Sequence, residues 1–255
     1  MSNVSVIIPT WNRADMIEKA IRSAINQTLS PLEVLVCDDG STDNSEIIVN
    51  SINDSRVKWV PGPHRGLPAI PRNRGISESR GEWLAFLDSD DEWLPGKLQK
   101  QLQLAHKLNC KALCANAYHF VPEKGIVDNL LSWSKEIISF DDLVKGNQVI
   151  CSSSLIHRSL LESVTGFPED PEVIEDYALW LRVATQTYFA FVNEPLLIYR
   201  DDPENSIRGK ITEDIPLQRK HVLSDFAKWA ETAKNFDLLN DYILKMKTHW
   251  FPSGG

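Results

Sequence analysis

The chain has 255 residues, 42% of them hydrophobic and 24% charged, a balance that supports a packed core and excludes a disordered chain. A formal net charge of −8 excludes a protein that coats nucleic acid, since that task needs a basic surface to displace phosphate counterions. The four cysteines, Cys37, Cys110, Cys114 and Cys151, form no CxxC pair and no zinc-finger spacing, so they read as reduced, buried thiols.

Residues 4–8 are a near-continuous apolar run, predicted as the first strand. After the loop at residues 9–13, Ile17, Ala20, Ile21, Ala24 and Ile25 recur at helical spacing, so one stripe of that helix packs on a sheet. Residues 32–37 give a second strand ending in Asp38-Asp39-Gly40, after which Ser41 or Thr42 is placed to cap a helix carrying Ile47, Ile48 and Ile52. Residues 56–60 read as a third strand. Residues 61–74 hold four prolines and two glycines and predict an irregular connection into a short helix near residues 73–78. Residues 83–87 form a fourth strand, with residues 88–92 at its C-terminal end.

Leu98, Leu102 and Ala105 keep helical spacing, and residues 111–120 read as a strand. Further on, residues 149–157 look strand-like, 175–184 helical, 189–199 like an extended pair broken at Pro195, and 214–249 helical. The alternation of strands and helices predicts an α/β fold with a mostly parallel central sheet. No apolar run reaches the ~20 residues that cross a bilayer. The start Met-Ser-Asn-Val-Ser lacks the basic-then-apolar order of a signal peptide, so a cytoplasmic location is expected. Residues 242–251, with Lys245, Lys247 and Trp250, suit contact with a membrane surface, or, more simply, an ordinary packing helix.

In an open parallel sheet, ligands bind beyond the carboxyl ends of the strands. Three polar clusters stand there: Pro9-Thr10-Trp11-Asn12-Arg13, Asp38-Asp39-Gly40-Ser41-Thr42-Asp43 and Asp88-Ser89-Asp90-Asp91. Any one of these aspartates is most simply the cap of a turn or helix. Together they crowd carboxylates at Coulombic cost, which a hard cation such as magnesium or manganese would offset.

The order Val-Ser-Val-Ile-Ile-Pro-Thr-Trp-Asn-Arg, Asp-Asp-Gly-Ser-Thr-Asp, Arg-Asn-Arg-Gly-Ile and Phe-Leu-Asp-Ser-Asp-Asp resembles the family 2 glycosyltransferases. A fifth block, Glu175-Asp176-Tyr177-Ala178-Leu179-Trp180-Leu181-Arg182, is similar to the family's Glu-Asp motif. The resemblance runs from about residue 3 to about residue 200. It implies a single Rossmann-like GT-A domain over residues 1–210, with a nucleotide-binding half to about residue 110 and an acceptor half beyond it. Residues 211–255 would be a C-terminal helical extension.

The implied activity is inverting transfer of a sugar from a nucleotide-diphosphate sugar, UDP-linked by preference, to a hydroxyl of a glycan or lipid-linked sugar in surface-polysaccharide synthesis. Such an acceptor would bring the protein to the inner face of the membrane. Asp39 would accept from the uracil N3–H and Trp11 would lie against the base, unless the indole is simply part of the core. Pro9, Thr10, Asp88 and Ser89 would line the donor site, and Asp90 would bind Mn2+ or Mg2+. Arg72 and Arg74, with His64 and Arg65 less directly, would meet the diphosphate. Asp176 would be the base; Glu175, Trp180 and Arg200 would face the sugar or acceptor, or serve as helix start, core and solvated charge. Ser206 and Arg208 would extend the Arg200 cluster.

A nucleotidyltransferase would instead carry a glycine-rich loop after its first strand, where this chain has Pro-Thr-Trp-Asn-Arg without glycine. A non-catalytic nucleotide-sugar-binding relative would have no need of both Asp90 and Asp176.

Overall fold

The computed structural model describes residues 3–202, 214–232 and 236–252. The chain runs through β1 (Val4–Thr10), α1 (Ile17–Ile25), β2 (Glu33–Asp38), α2 (Ser45–Ser51), β3 (Val57–Val60), α3 (Ala69–Glu78), β4 (Trp83–Phe86), β5 (Glu92–Trp93) and α4 (Lys97–Leu108). It continues through β6 (Ala112–Val121), β7 (Gly125–Asn129), β8 (Ile137–Ile138), α5 (Phe140–Lys145) and a 3-10 turn at Cys151–Ser153. Then come β9 (Leu155–His157), α6 (Arg158–Ser163), α7 (Glu175–Ala184), β10 (Phe189–Arg200), α8 (Ile215–Thr232) and α9 (Phe236–Trp250).

The strands join in one sheet of order β3-β2-β1-β4-β9-β6-β10-β5, with β7 beside β6 and β8 beside β10. The first four strands are parallel, which is why β1 and β2 read as unbroken apolar runs: both faces are covered. On β1, Ile7 joins the core shared with α3, α7 and α8, while Val6 and Ile8 join the core shared with α1 and α4. Only β9 separates β4 from β6, and it runs antiparallel to both, so β6 and β10 point the same way as β4. The carboxyl ends of β1, β2, β4, β6 and β10 therefore open on one side of the molecule.

Four local expectations are corrected. Helix α3 begins at Ala69 rather than near residue 73, because Pro71 falls within the first turn, where a missing N–H leaves no hydrogen bond unmade. Neither Ser41 nor Thr42 caps α2, which is preceded by Asn44. Residues 149–157 divide into the 3-10 turn and β9. Strand β10 stays continuous through Pro195, which the ladder with β6 absorbs as a register irregularity.

Helix α9 is a packing helix. Ile243, Met246 and Trp250 are buried, the Trp250 indole donates to the Val144 carbonyl at 2.6 Å, and Lys245 pairs with Asp141 at 2.9 Å, so Trp250 does not face outward as a membrane anchor would. Among the described residues, no helix is long and apolar enough to cross a membrane. Trp180 is fully buried between the rings of Phe167 and Phe189, at 6.0 Å and 5.6 Å, so it cannot stack on a sugar. Trp180→Ala is expected to cost about 3–5 kcal/mol in urea unfolding, whereas Trp180→Phe, which deletes an indole N–H that has no partner, should leave ligand binding unchanged.

Candidate active site

The loops after β1 and β2 are laced together. Asn12 takes a left-handed conformation (φ 50°); its N–H donates to the Ser41 hydroxyl at 2.8 Å and its side-chain oxygen accepts from the Thr42 N–H at 2.8 Å. Asp38 closes the same turn by accepting from the N–H groups of Gly40 and Ser41 and from the Ser41 hydroxyl, which explains why that serine is unavailable as a helix cap. A Cβ on Gly40 (φ +76°) would lie 2.6 Å from the His64 nitrogen, so only glycine fits there.

Asp39 is buried, and its two oxygens accept from the N–H groups of Arg65 and Gly66 at 3.0 and 2.8 Å. Oδ2 also lies 3.0 Å from His64 Nδ1, whereas Oδ1 has a second lone pair able to receive an imide N–H. Trp11 is 43% exposed and stacks on His64 with centroids 4.6 Å apart, a position that rules out simple core burial of the indole. Pro9 and Thr10 are buried in β1 beneath it; the Thr10 carbonyl accepts from the Asp39 N–H, and the Thr10 hydroxyl has no partner.

The acidic segment leaves the sheet just after Leu87, whose N–H still donates to Ile7. Arg72, 5% exposed, places one guanidinium nitrogen 2.7 Å from Asp88 and another 2.6 Å from Glu175. Arg74 donates to the Asp38 carbonyl at 2.6 Å and lies under Gly62, where a Cβ would sit 1.9 Å from its Nη2. Arg72 is thus turned inward to Asp88 and Glu175, with its Nε left without a partner, while half-buried Arg74 spends one nitrogen on the Asp38 carbonyl. Asn73 brackets the approach to α7, bonded to Phe167 N and O and to Glu169.

The cations that act on Asp90 are Arg13 and Arg200. Arg200 ends β10, its N–H donates to Asp91 at 2.9 Å, and its guanidinium lies 4.4 Å from the centre of the Phe120 ring. Asp90, Asp91 and Arg200 line a cavity of about 140 Å³ together with Asp15 and Lys19 of the β1–α1 side. Ser206 and Arg208 lie outside the described residues.

Burial, followed by the negative charge of Asp88, raises Asp90 above the usual carboxylate range. Buried Asp91 is raised well above it by desolvation and by Asp90 and Asp88, and one of its oxygens has no hydrogen-bond partner. Ser89 is buried between them. At the start of α7, Glu175 is taken by Arg72 while Asp176 keeps one oxygen for the Tyr177 N–H. Burial and the neighbouring Glu175 charge push Asp176 up to about 7, against the opposing pull of Arg72.

Sequence reasoning passed over Ser152. Its hydroxyl accepts from the Asp88 N–H at 3.0 Å and its carbonyl accepts from the Trp93 indole at 2.7 Å. The available signal was a run of polar residues, Cys-Ser-Ser-Ser, in a segment otherwise reading as a buried strand.

The sequence profile of glycosyl transferase family 2 matches residues 5–165. UDP-Glc:alpha-D-GlcNAc-diphosphoundecaprenol beta-1,3-glucosyltransferase WfgD of Escherichia coli is 32% identical over 251 residues, covering 97% of this chain and 95% of that protein. The E. coli enzyme of the same description named WfaP is 31% identical over 186 residues, covering 73% and 72%. Among solved structures, S. aureus TarS 1–349 in complex with UDP-GlcNAc matches with a TM-score of 0.77 at 19% identity, over 99% of this chain and 73% of that one. At that identity the likeness is one of fold.

Removing Arg72 leaves Asp88 and Glu175 without their shared partner. Arg72→Met is expected to lose about 3–5 kcal/mol of folding stability in denaturant titration, the range for breaking a buried ion pair from one side.

Proposed function

The chain belongs to glycosyl transferase family 2, has its GT-A fold and is a glycosyltransferase; on that premise we propose that it transfers a sugar from a UDP-sugar to a hydroxyl of a polyprenyl-diphosphate-linked sugar, with inversion and with a divalent cation. The observation that carries the reading is the division of labour imposed by Arg72. Of two adjacent carboxylates at the start of α7, Glu175 is bound to the guanidinium and Asp176 is left with a proton affinity near neutral. A base with that affinity is substantially ionised near neutral pH and can still receive a proton from an attacking hydroxyl.

The relatives' names supply the substrate classes. A UDP-glucose donor is α-linked at its anomeric carbon, and a β-1,3 product, as named for WfgD, requires inversion at that carbon. One base facing the acceptor and opposite the leaving diphosphate suffices for a single displacement. In this assignment Asp176 takes the acceptor proton, Trp11 and Asp39 hold the base, and Arg200 and Arg13 face the diphosphate.

Asp90 and Asp91 supply hard oxygen donors in a neighbourhood with more negative charge than its arginines offset, which fits magnesium or manganese. Among the described residues no three metal-ligating side chains converge, so the remaining ligands would be donor oxygens. Such an ion would offset the charge that develops on the leaving diphosphate. A lipid-linked acceptor would bring the protein to the membrane surface.

Asp176→Asn is expected to reduce transfer at least a thousandfold while UDP affinity in calorimetry stays within threefold. In the wild type, log kcat/KM should rise with pH and level off above about 7. The same carboxyl bears on stability. Its native pKa is raised above the unfolded value, so ionisation costs stability beginning near pH 4 and fully above about pH 7. Asp176→Asn should therefore melt higher than wild type at pH 8 and equally at pH 4. Asp90→Ala should abolish the gain in UDP affinity that manganese gives the wild type, read by calorimetry with and without chelator.

A further inference from the structure

The segment at residues 88–91 crowds three carboxylates beyond the end of a sheet strand, and something must hold it against its own repulsion. The last ladder contact is the Leu87 N–H to Ile7. The next amide, that of Asp88, donates to the Ser152 hydroxyl at 3.0 Å. From the other side of the residue, the Ser152 carbonyl accepts from the Trp93 indole at 2.7 Å, just past the acidic run. Ser152 thus holds the segment near its beginning and beyond its end, and it is fully buried, so it cannot itself touch a substrate.

The turn that carries Ser152 is anchored independently. The Ser153 hydroxyl accepts from the Ala115 N–H of β6 at 3.2 Å, and the Ser153 carbonyl accepts from Gln101 of α4 at 2.7 Å. Its position is therefore set by β6 and α4, and the acidic segment is hung from it rather than the reverse. A serine is suited to this place because its small hydroxyl can accept from a buried amide that has left the strand ladder.

We propose that Ser152 is a positioning residue of the donor site, fixing the Asp88 main chain through its hydroxyl and the Trp93 indole through its carbonyl so that the acidic segment is preformed for a cation and a nucleoside diphosphate. The inference rests on the donor-site reading above. An alanine there would leave a buried amide unpaired and let the segment relax, and the loss would appear as weaker ligand binding more than as slower chemistry.

Calorimetry of UDP binding with manganese chloride tests this, alongside thermal melting without ligand and steady-state kinetics. Ser152→Ala should bind UDP at least tenfold more weakly with manganese, raise the donor KM to match, and keep kcat at saturating donor and metal within threefold. Trp93→Phe, which keeps an aromatic ring near Lys97 but removes the indole N–H tie and part of the ring volume, should weaken UDP about threefold. Ser154→Ala, whose hydroxyl bonds only to the Cys151 carbonyl of the same turn, should bind as the wild type does. Wild-type affinity in both Ser152→Ala and Trp93→Phe overturns the proposal, as does an equal loss in Ser154→Ala. A wild-type protein whose UDP affinity is indifferent to manganese overturns the donor-site reading itself, and this inference with it.

Discussion

One buried guanidinium joins the two sides of the site. Arg72 bonds at 2.7 Å to Asp88, at the end of a central strand, and at 2.6 Å to Glu175, which opens a helix 103 residues further along the chain. A charge that deep is tolerable only when its partners are charged and well placed. Two short charge-assisted bonds supply those partners and the Phe167 ring lies 5.3 Å away, while the buried Nε has none. The consequence is geometric: the acidic segment and the start of α7 cannot move apart without exposing a buried ion.

The same contact decides which carboxylate is available. Adjacent residues on a helix point about 100° apart, so Glu175 and Asp176 cannot share an orientation. Arg72 takes Glu175, and Asp176 is left where burial and the neighbouring negative charge hold its proton near neutrality. At residues 90 and 91 the cause is similar and the outcome different. There burial and mutual repulsion raise carboxyls beside a small cavity bordered by Arg200 and Lys19, an arrangement suited to a cation and an anion bound together. One local excess of negative charge therefore raises carboxyls at both ends of the site, Asp176 at one and Asp90 and Asp91 at the other.

Positional stability in this region comes from backbone contacts made by side chains remote in sequence. Asn12 and Ser41 lock the two loops that carry Trp11 and Asp39, Asn73 brackets the chain before α7, and Ser152 supports the segment after β4. Each replaces ladder hydrogen bonds that end where the strands end, which is the place the fold reserves for ligands.

The α/β class, the first four strands and the polar clusters at their ends were legible in the sequence, because apolar runs such as those around Ile7 and Val36 and the helical stripe from Ile17 are local patterns, whereas the antiparallel insertion of β9 was not. The family resemblance added the base and the nucleotide residues, which local pattern alone does not distinguish from caps. What the sequence could not decide was the direction of each side chain. Trp11 and Trp180 are the same residue type in motif blocks, yet one is exposed beside His64 and the other is sealed between Phe167 and Phe189. The sequence set Arg72 in an irregular stretch, and only the fold gives it Asp88 and Glu175 as partners; Ser152 stood unmarked in a short polar run. Composition and periodicity follow from neighbours along the chain, whereas partners are assigned by tertiary packing, which brings together residues 64, 94 and 103 positions apart and so settles which charges are spent on structure and which are left for chemistry.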